Sequence, residues 1–189
     1  MEVETHNTTV TNQIRGRRSF LALAGSTGLL GANDRIRVGV IGAGGRGRYL
    51  AGLLKRYEAE VAAVCDVYEP NLKNGLAQAS AGAKGHVDYR RLLEDRSIDA
   101  VVIATPDHLH AQMLIDAVAA VKDVYLEKPL ATNIEDGFRM VEAARRSDRV
   151  VALGTQRRSH ELYHEAKAVL DSGATGAVRL VTAYWLNHW

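Results

Sequence analysis

The chain has 189 residues, 47% of them hydrophobic and 24% charged, and a formal net charge of +2. So small a positive excess, carried by scattered arginines, argues against a nucleic-acid partner, and no apolar run approaches the roughly 18 residues that span a bilayer. The lone cysteine, Cys65, excludes an internal disulfide or a cysteine metal cluster.

Residues 1–33 read as an export segment. Arg15, Arg17 and Arg18 stand directly before a mildly apolar, glycine-containing stretch from Phe20 to Leu30, the basic-then-apolar order of a secretory signal. Arg17-Arg18-Ser19-Phe20-Leu21 resembles the twin-arginine signal, whose machinery moves folded proteins, and this implies a periplasmic location. A cleavage site is poorly marked: Ala22-Leu23-Ala24 comes early, and Leu30-Gly31-Ala32 matches only in part.

From Arg35 onward, short apolar runs alternate with amphipathic ones, the pattern of βαβ units around a parallel sheet. The periodicity predicts a strand over 36–42, a helix over 48–57, a strand over 60–66, a helix over 72–80 and a short strand over 86–89. It continues with a strand over 98–106, a helix over 108–120, a strand over 123–129, a helix over 135–147 and a strand over 149–155. Beyond Thr155 come one helix over 161–173, closed by Gly173, and a last apolar run over 177–189 that reads as a strand.

Between the first strand and helix lies Gly42-Ala43-Gly44-Gly45-Arg46-Gly47, a G-x-G-x-x-G run, and Asp66 ends the next strand about 20 residues later. In that context Gly42 permits the tight turn, Gly44 lets backbone approach a diphosphate, and Gly47 lets the helix pack closely on the strand. Amides at the helix start then face the phosphates, where the helix dipole favours negative charge. Gly45 and Arg46 belong to the same anion-facing turn. The expected fold class is therefore α/β, a Rossmann-type doubly wound parallel sheet over residues 34–155. Asp66 favours NAD over NADP: its carboxylate accepts from ribose hydroxyls and repels a 2′-phosphate, and the following Val67 and Tyr68 supply no arginine to offset it.

Two more segments, Ala104-Thr105-Pro106-Asp107-His108-Leu109-His110 and Asp123-Val124-Tyr125-Leu126-Glu127-Lys128-Pro129, complete a set with the glycine loop. Together they resemble the Gfo/Idh/MocA oxidoreductases. The resemblance implies a nucleotide-binding domain joined to a second α/β domain, and a reaction on hydroxyl groups of sugars, cyclitols or related polyols with NAD or NADP. It implies that Thr105, Pro106 and His110, which matches a family histidine, line the cofactor while His108 is a surface residue, and that Glu127-Lys128-Pro129 is the family's Glu-Lys-Pro signature. Lys128 is the expected catalytic residue. An ammonium there could hydrogen-bond the substrate oxygen and relay its proton, with burial lowering its pKa. Glu127 is expected to orient Lys128 or touch the cofactor. Gln156 and Arg157 match a segment bordering nicotinamide or substrate, with a salt-exposed linker as the alternative. The family usually has glycine where this chain has Val121; a left-handed valine there costs about 1–2 kcal/mol.

Residues 156–189 resemble the beginning of the family's second domain, so the chain reads as a fragment of an enzyme whose members commonly pair into homo-oligomers. Two alternatives keep the cofactor: an NAD-dependent glycosidase with transient oxidation, and a non-catalytic dinucleotide or sugar binder. A zinc hydrolase is suggested by His160-Glu161-Leu162-Tyr163-His164, which fits H-E-x-x-H, but only His188 remains as a third ligand, and a solvated helix is the better reading.

Overall fold

The β-branched run Arg37-Val38-Gly39-Val40-Ile41 cannot bury both of its faces alone, and in the computed structural model, which describes residues 35–57 and 59–184, it is the strand β1 (Arg37–Ile41) at the heart of a sheet. There follow α1 (Gly45–Leu54), β2 (Glu60–Cys65), α2 (Glu69–Gln78), β3 (Lys84–His86), α3 (Tyr89–Leu93) and β4 (Ala100–Ile103). The order continues with α4 (His110–Ala119), β5 (Asp123–Glu127), α5 (Ile134–Arg146), β6 (Val151–Gly154) and α6 (Glu161–Asp171). All six strands are parallel, in the order β3-β2-β1-β4-β5-β6. The chain steps outward from β1 to β3, then returns to the far side of β1 for β4. The strand order therefore reverses between β1 and β4, and the carboxyl ends of strands at such a switch point are where doubly wound sheets bind their ligands. The export segment expected over residues 1–33 lies outside the described residues.

Each face of the sheet has its own core. Val38, Val40, Val64 and Val102 pack with Leu50 and Ala51 of α1. Ile41, Ala63, Cys65, Val101, Ile103 and Leu126 pack on the other face with Leu92, Leu114 and Met140 from α3, α4 and α5. Gly39 makes room for this second layer, since a Cβ there would lie 2.6 Å from Leu92 Cδ2. Burial, with Asp66 and Asp88 adding negative charge, pushes the Cys65 thiol up to about 12, so it is a neutral core group. Lys122 is also buried. Its Nζ donates to Asp95 O (2.7 Å) and Ile98 O (2.9 Å), which ties down the chain between α3 and β4, and burial lowers its pKa.

Three departures from the sequence expectations have an identifiable physical cause. α1 starts at Gly45, inside the glycine run, three residues before amphipathic periodicity can register. The strand expected over 86–89 is displaced to Lys84–His86, because Asp88 Oδ1 accepts from Arg90 N (2.9 Å) and begins α3, a helix the alternating pattern hid. The run expected as a strand over 177–189 has no regular structure from 177 to 184: strand propensity needs a neighbour to pair with, and none lies beside it among the described residues.

Val121 sits at φ 63°, the left-handed conformation. Its N–H donates to Val118 O (3.1 Å) and that of Lys122 to Ala117 O (3.0 Å), the paired bonds of a Schellman helix end whose left-handed position glycine normally fills. The helix does not end differently to spare the valine; it ends as a glycine would have it. Val121→Gly is therefore expected to raise stability by about 1 kcal/mol, the left-handed cost less the extra unfolded-state entropy of glycine. A urea midpoint that stays put or falls would count against this.

Candidate dinucleotide site

The glycine loop is locked at its base. Gly42 N donates to Cys65 O (2.8 Å) and Ala104 N to Ile41 O (2.9 Å), which fastens the turn between β2 and β4. Gly42 has φ +87°, and a Cβ there would be 2.7 Å from Ala104 O. A Cβ on Gly47 would collide with Gly42 O. These two glycines serve the fold. Gly44 and Gly45 differ, because a Cβ on either would meet nothing within 4 Å. No side chain caps α1 at Gly44, and the first helical bond of the turn is Arg48 N to Gly44 O (3.0 Å). Bare backbone and uncapped amides thus face open space at the positive end of a helix dipole, where an anion's charge and acceptor oxygens are both accommodated.

Asp66, just past β2, holds the neighbouring backbone. Oδ2 accepts from Ala43 N (2.8 Å) and Oδ1 from Tyr68 N (2.9 Å), leaving further lone pairs for a hydroxyl donor. Opposite it, Thr105 and Pro106 follow β4 against the glycine turn. Thr105 is half-buried, with its hydroxyl 3.5 Å from Met113 Sδ, and Pro106 is exposed.

Glu127 and Arg46 form the floor. Tyr125 and Glu127, two apart on β5, share a face of the sheet, and Arg46 reaches over β4 to them. Arg46 Nε lies 2.8 Å and Nη2 2.7 Å from Glu127 Oε1, and the Tyr125 hydroxyl donates to the same oxygen at 3.5 Å. Glu127 is buried. Arg46 also stacks over the Tyr49 ring at 5.2 Å, and its hydrogen bond to Glu127 raises its pKa further. Burial and the Glu127 charge raise the Tyr125 phenol pKa. The partner of Glu127 is thus Arg46, not the adjacent lysine.

Lys128 differs from expectation. It is exposed at the end of β5, where the chain leaves the sheet through Pro129, and not buried as expected. His110 is the second correction. It is wholly buried, with Nδ1 2.8 Å from Pro129 O and Nε2 3.1 Å from Thr105 O. With no surface to offer a cofactor, it lies between the loops after β4 and β5; both neighbours are acceptors, so a neutral ring, with its one N–H, donates to one of the two carbonyls. Gln156 and Arg157 are exposed in the turn beyond β6, Arg157 at φ 66°, and no hydrogen bond or ion pair brings them to the other site residues among those described. His160 Nδ1 accepts from Leu162 N (3.2 Å) and so caps α6, a use the H-E-x-x-H pattern does not foresee.

Sequence reasoning missed Arg48, Asn71 and Tyr125. Tyr125 was visible as the same-face neighbour of Glu127. Arg48 directly follows the last glycine, so it approaches Asp66 from α1 and not from the residues after β2.

The chain is 41% identical over 155 residues to inositol 2-dehydrogenase 2 of Saccharopolyspora erythraea, an alignment covering 80% of this chain and 45% of that protein. It is 32% identical over 142 residues to the myo-inositol 2-dehydrogenase of Thermotoga maritima, covering 75% and 42% of the two. Among solved structures, the myo-inositol dehydrogenase of Lactobacillus casei in complex with NAD(H) and myo-inositol superposes with a TM-score of 0.70 at 33% identity, over 76% of this chain and 43% of that one. The chain thus spans less than half the length of these relatives. Residues 36–155 match the family described as an oxidoreductase family with an NAD-binding Rossmann fold, and with the glycine loop, Asp66 and the Glu-Lys-Pro strand end in place, the chain belongs to the Gfo/Idh/MocA oxidoreductases.

Proposed function

We infer that residues 36–155 grip the diphosphate of a nicotinamide dinucleotide at the first turn of α1, and that the complete protein oxidises or reduces a hydroxyl-bearing carbon of a cyclitol, sugar or related polyol. The observation that carries the reading is the open space over Gly44 and Gly45 at a helix start that no side chain caps. Asp66 would take the ribose hydroxyls of the adenosine half, favouring NAD. The bound nicotinamide supplies the hydride acceptor or donor. Lys128, at the carboxyl end of β5, would hold the substrate oxygen: in oxidation its neutral amine would take the hydroxyl proton as hydride leaves for the nicotinamide, and in reduction its ammonium would return that proton to the oxygen. Arg46 neutralises Glu127, the residue before Lys128, and the buried His110 ring packs against the carbonyls of Pro129 and Thr105.

The cyclitol class is supported by the names of the relatives, and residues 156–189 would begin the domain that selects substrate and pairs copies. The basic-then-apolar order of residues 1–33 supports twin-arginine export to the periplasm, a route suited to a protein that folds around its dinucleotide first. Calorimetry on the purified chain tests the core of the reading. Saturable heat with NADH or NAD is expected, and folded protein that gives none with either coenzyme would sink it.

A further inference from the structure

Beside Asp66, the carboxylate that favours NAD, the structure places a cation. Arg48 stands in the first turn of α1, half-buried, and its Nη1 donates to Ala43 O at 2.7 Å and to Asn71 Oδ1 at 3.3 Å. Ala43 N is held in turn by Asp66 Oδ2 at 2.8 Å. One residue of the glycine loop therefore carries the carboxylate on its N–H and the guanidinium on its carbonyl. With standard backbone dimensions, the two charged groups lie no more than about 9 Å apart. No carboxylate pairs with Arg48 among the described residues, and its Nε and Nη2 donors make no hydrogen bond there. A guanidinium pinned by one nitrogen, with the rest of its fork unused, is preorganised for a phosphate.

We propose that Arg48 is a latent ligand for the 2′-phosphate of NADP(H), so that discrimination against that coenzyme rests on the charge of Asp66 alone. The inference rests on the dinucleotide reading of the site and specifies its adenosine end. A 2′-phosphate approaching this corner meets one charge of each sign. With Asp66 ionised, repulsion and attraction oppose each other. With that charge removed, only attraction remains, and the preference reverses without any new arginine after β2. Asn71, at the start of α2, is the neutral residue that holds the guanidinium in place.

The test is fluorescence titration of NADH and NADPH against the chain at low ionic strength, where a charge contact is least screened. The variants are Asp66→Asn, which keeps an acceptor for Ala43 N, Asp66→Asn with Arg48→Met, and Asp66→Asn with Arg48→Lys. In Asp66→Asn the ratio of NADPH to NADH affinity is expected to rise by about 30-fold or more. Adding Arg48→Met should remove about tenfold of that gain through NADPH alone, and Arg48→Lys should retain part of it. Thermal melts of all three confirm that the comparison is made on folded protein. A ratio unchanged by Arg48→Met overturns the inference while leaving the dinucleotide site intact. An unmutated chain that binds neither coenzyme overturns the site, and the inference falls with it. With 2′,5′-ADP and 5′-ADP as probes, the Arg48 effect must follow the 2′-phosphate; an equal loss for both nucleotides would assign Arg48 to general packing instead.

Discussion

Gly47→Ala is expected to destabilise the domain by about 3 kcal/mol, at the upper end of what overpacking costs. The new methyl would be driven into the carbonyl oxygen of Gly42, and the obstacle is backbone that hydrogen bonds to Cys65 and Ala104 hold on either side. Only lifting α1 off β1 relieves the clash, which separates Leu50 and Ala51 from Val38 and Val40. With a urea slope of about 1–3 kcal/mol per molar, the midpoint should drop by about 1–3 M. Gly44→Ala is the matched control with the opposite phenotype. Its Cβ meets nothing and its φ of −63° suits alanine, so stability should stay within about 0.5 kcal/mol. NADH affinity should nevertheless fall by at least about tenfold, because the methyl stands where the diphosphate must approach the backbone. If both substitutions lower the midpoint equally, the division between fold glycines and ligand glycines is wrong.

The next largest effect is expected from Arg46→Met. Glu127 has 6% of its side chain exposed and Arg46 35%. Removing the arginine leaves a buried carboxylate with only the distant Tyr125 hydroxyl for company, a change that costs about 3 kcal/mol. The reverse deletion, Glu127→Gln, leaves a guanidinium that is one-third in water and still lies over Tyr49, and should cost about 1 kcal/mol. The asymmetry is the diagnostic: combining the two substitutions should recover most of the stability lost in Arg46→Met. A double variant as unstable as the sum of the singles would mean that the pair contributes packing rather than charge compensation.

Much of this architecture is written locally. The β-branched run before Gly42, the spacing from Gly47 to Asp66 and the alternation of short apolar runs with amphipathic ones need only their own periodicity to be read. The third strand shows where that method stops. His86-Val87-Asp88-Tyr89 alternates like a strand, but Asp88 is a helix cap, and which of two short elements wins depends on Leu92 and Leu93 being buried under the sheet. The site divides in the same way. The Glu-Lys-Pro signature could be recognised in one segment, whereas the partner of its glutamate is an arginine 81 positions away, and no local pattern pairs residues at that distance. His110, expected at the cofactor, is instead wholly buried, its ring between Thr105 O and Pro129 O, the second of them 19 residues downstream.

That histidine also sets a spacing. Its ring fills the gap between the segments after β4 and β5, whichever of the two carbonyls its N–H takes. The β1–α1 turn is joined to the end of β5 by the Arg46–Glu127 contact. A substitution that thinned the imidazole would therefore be felt at Thr105 and Pro129 together, although 24 positions separate them in the chain.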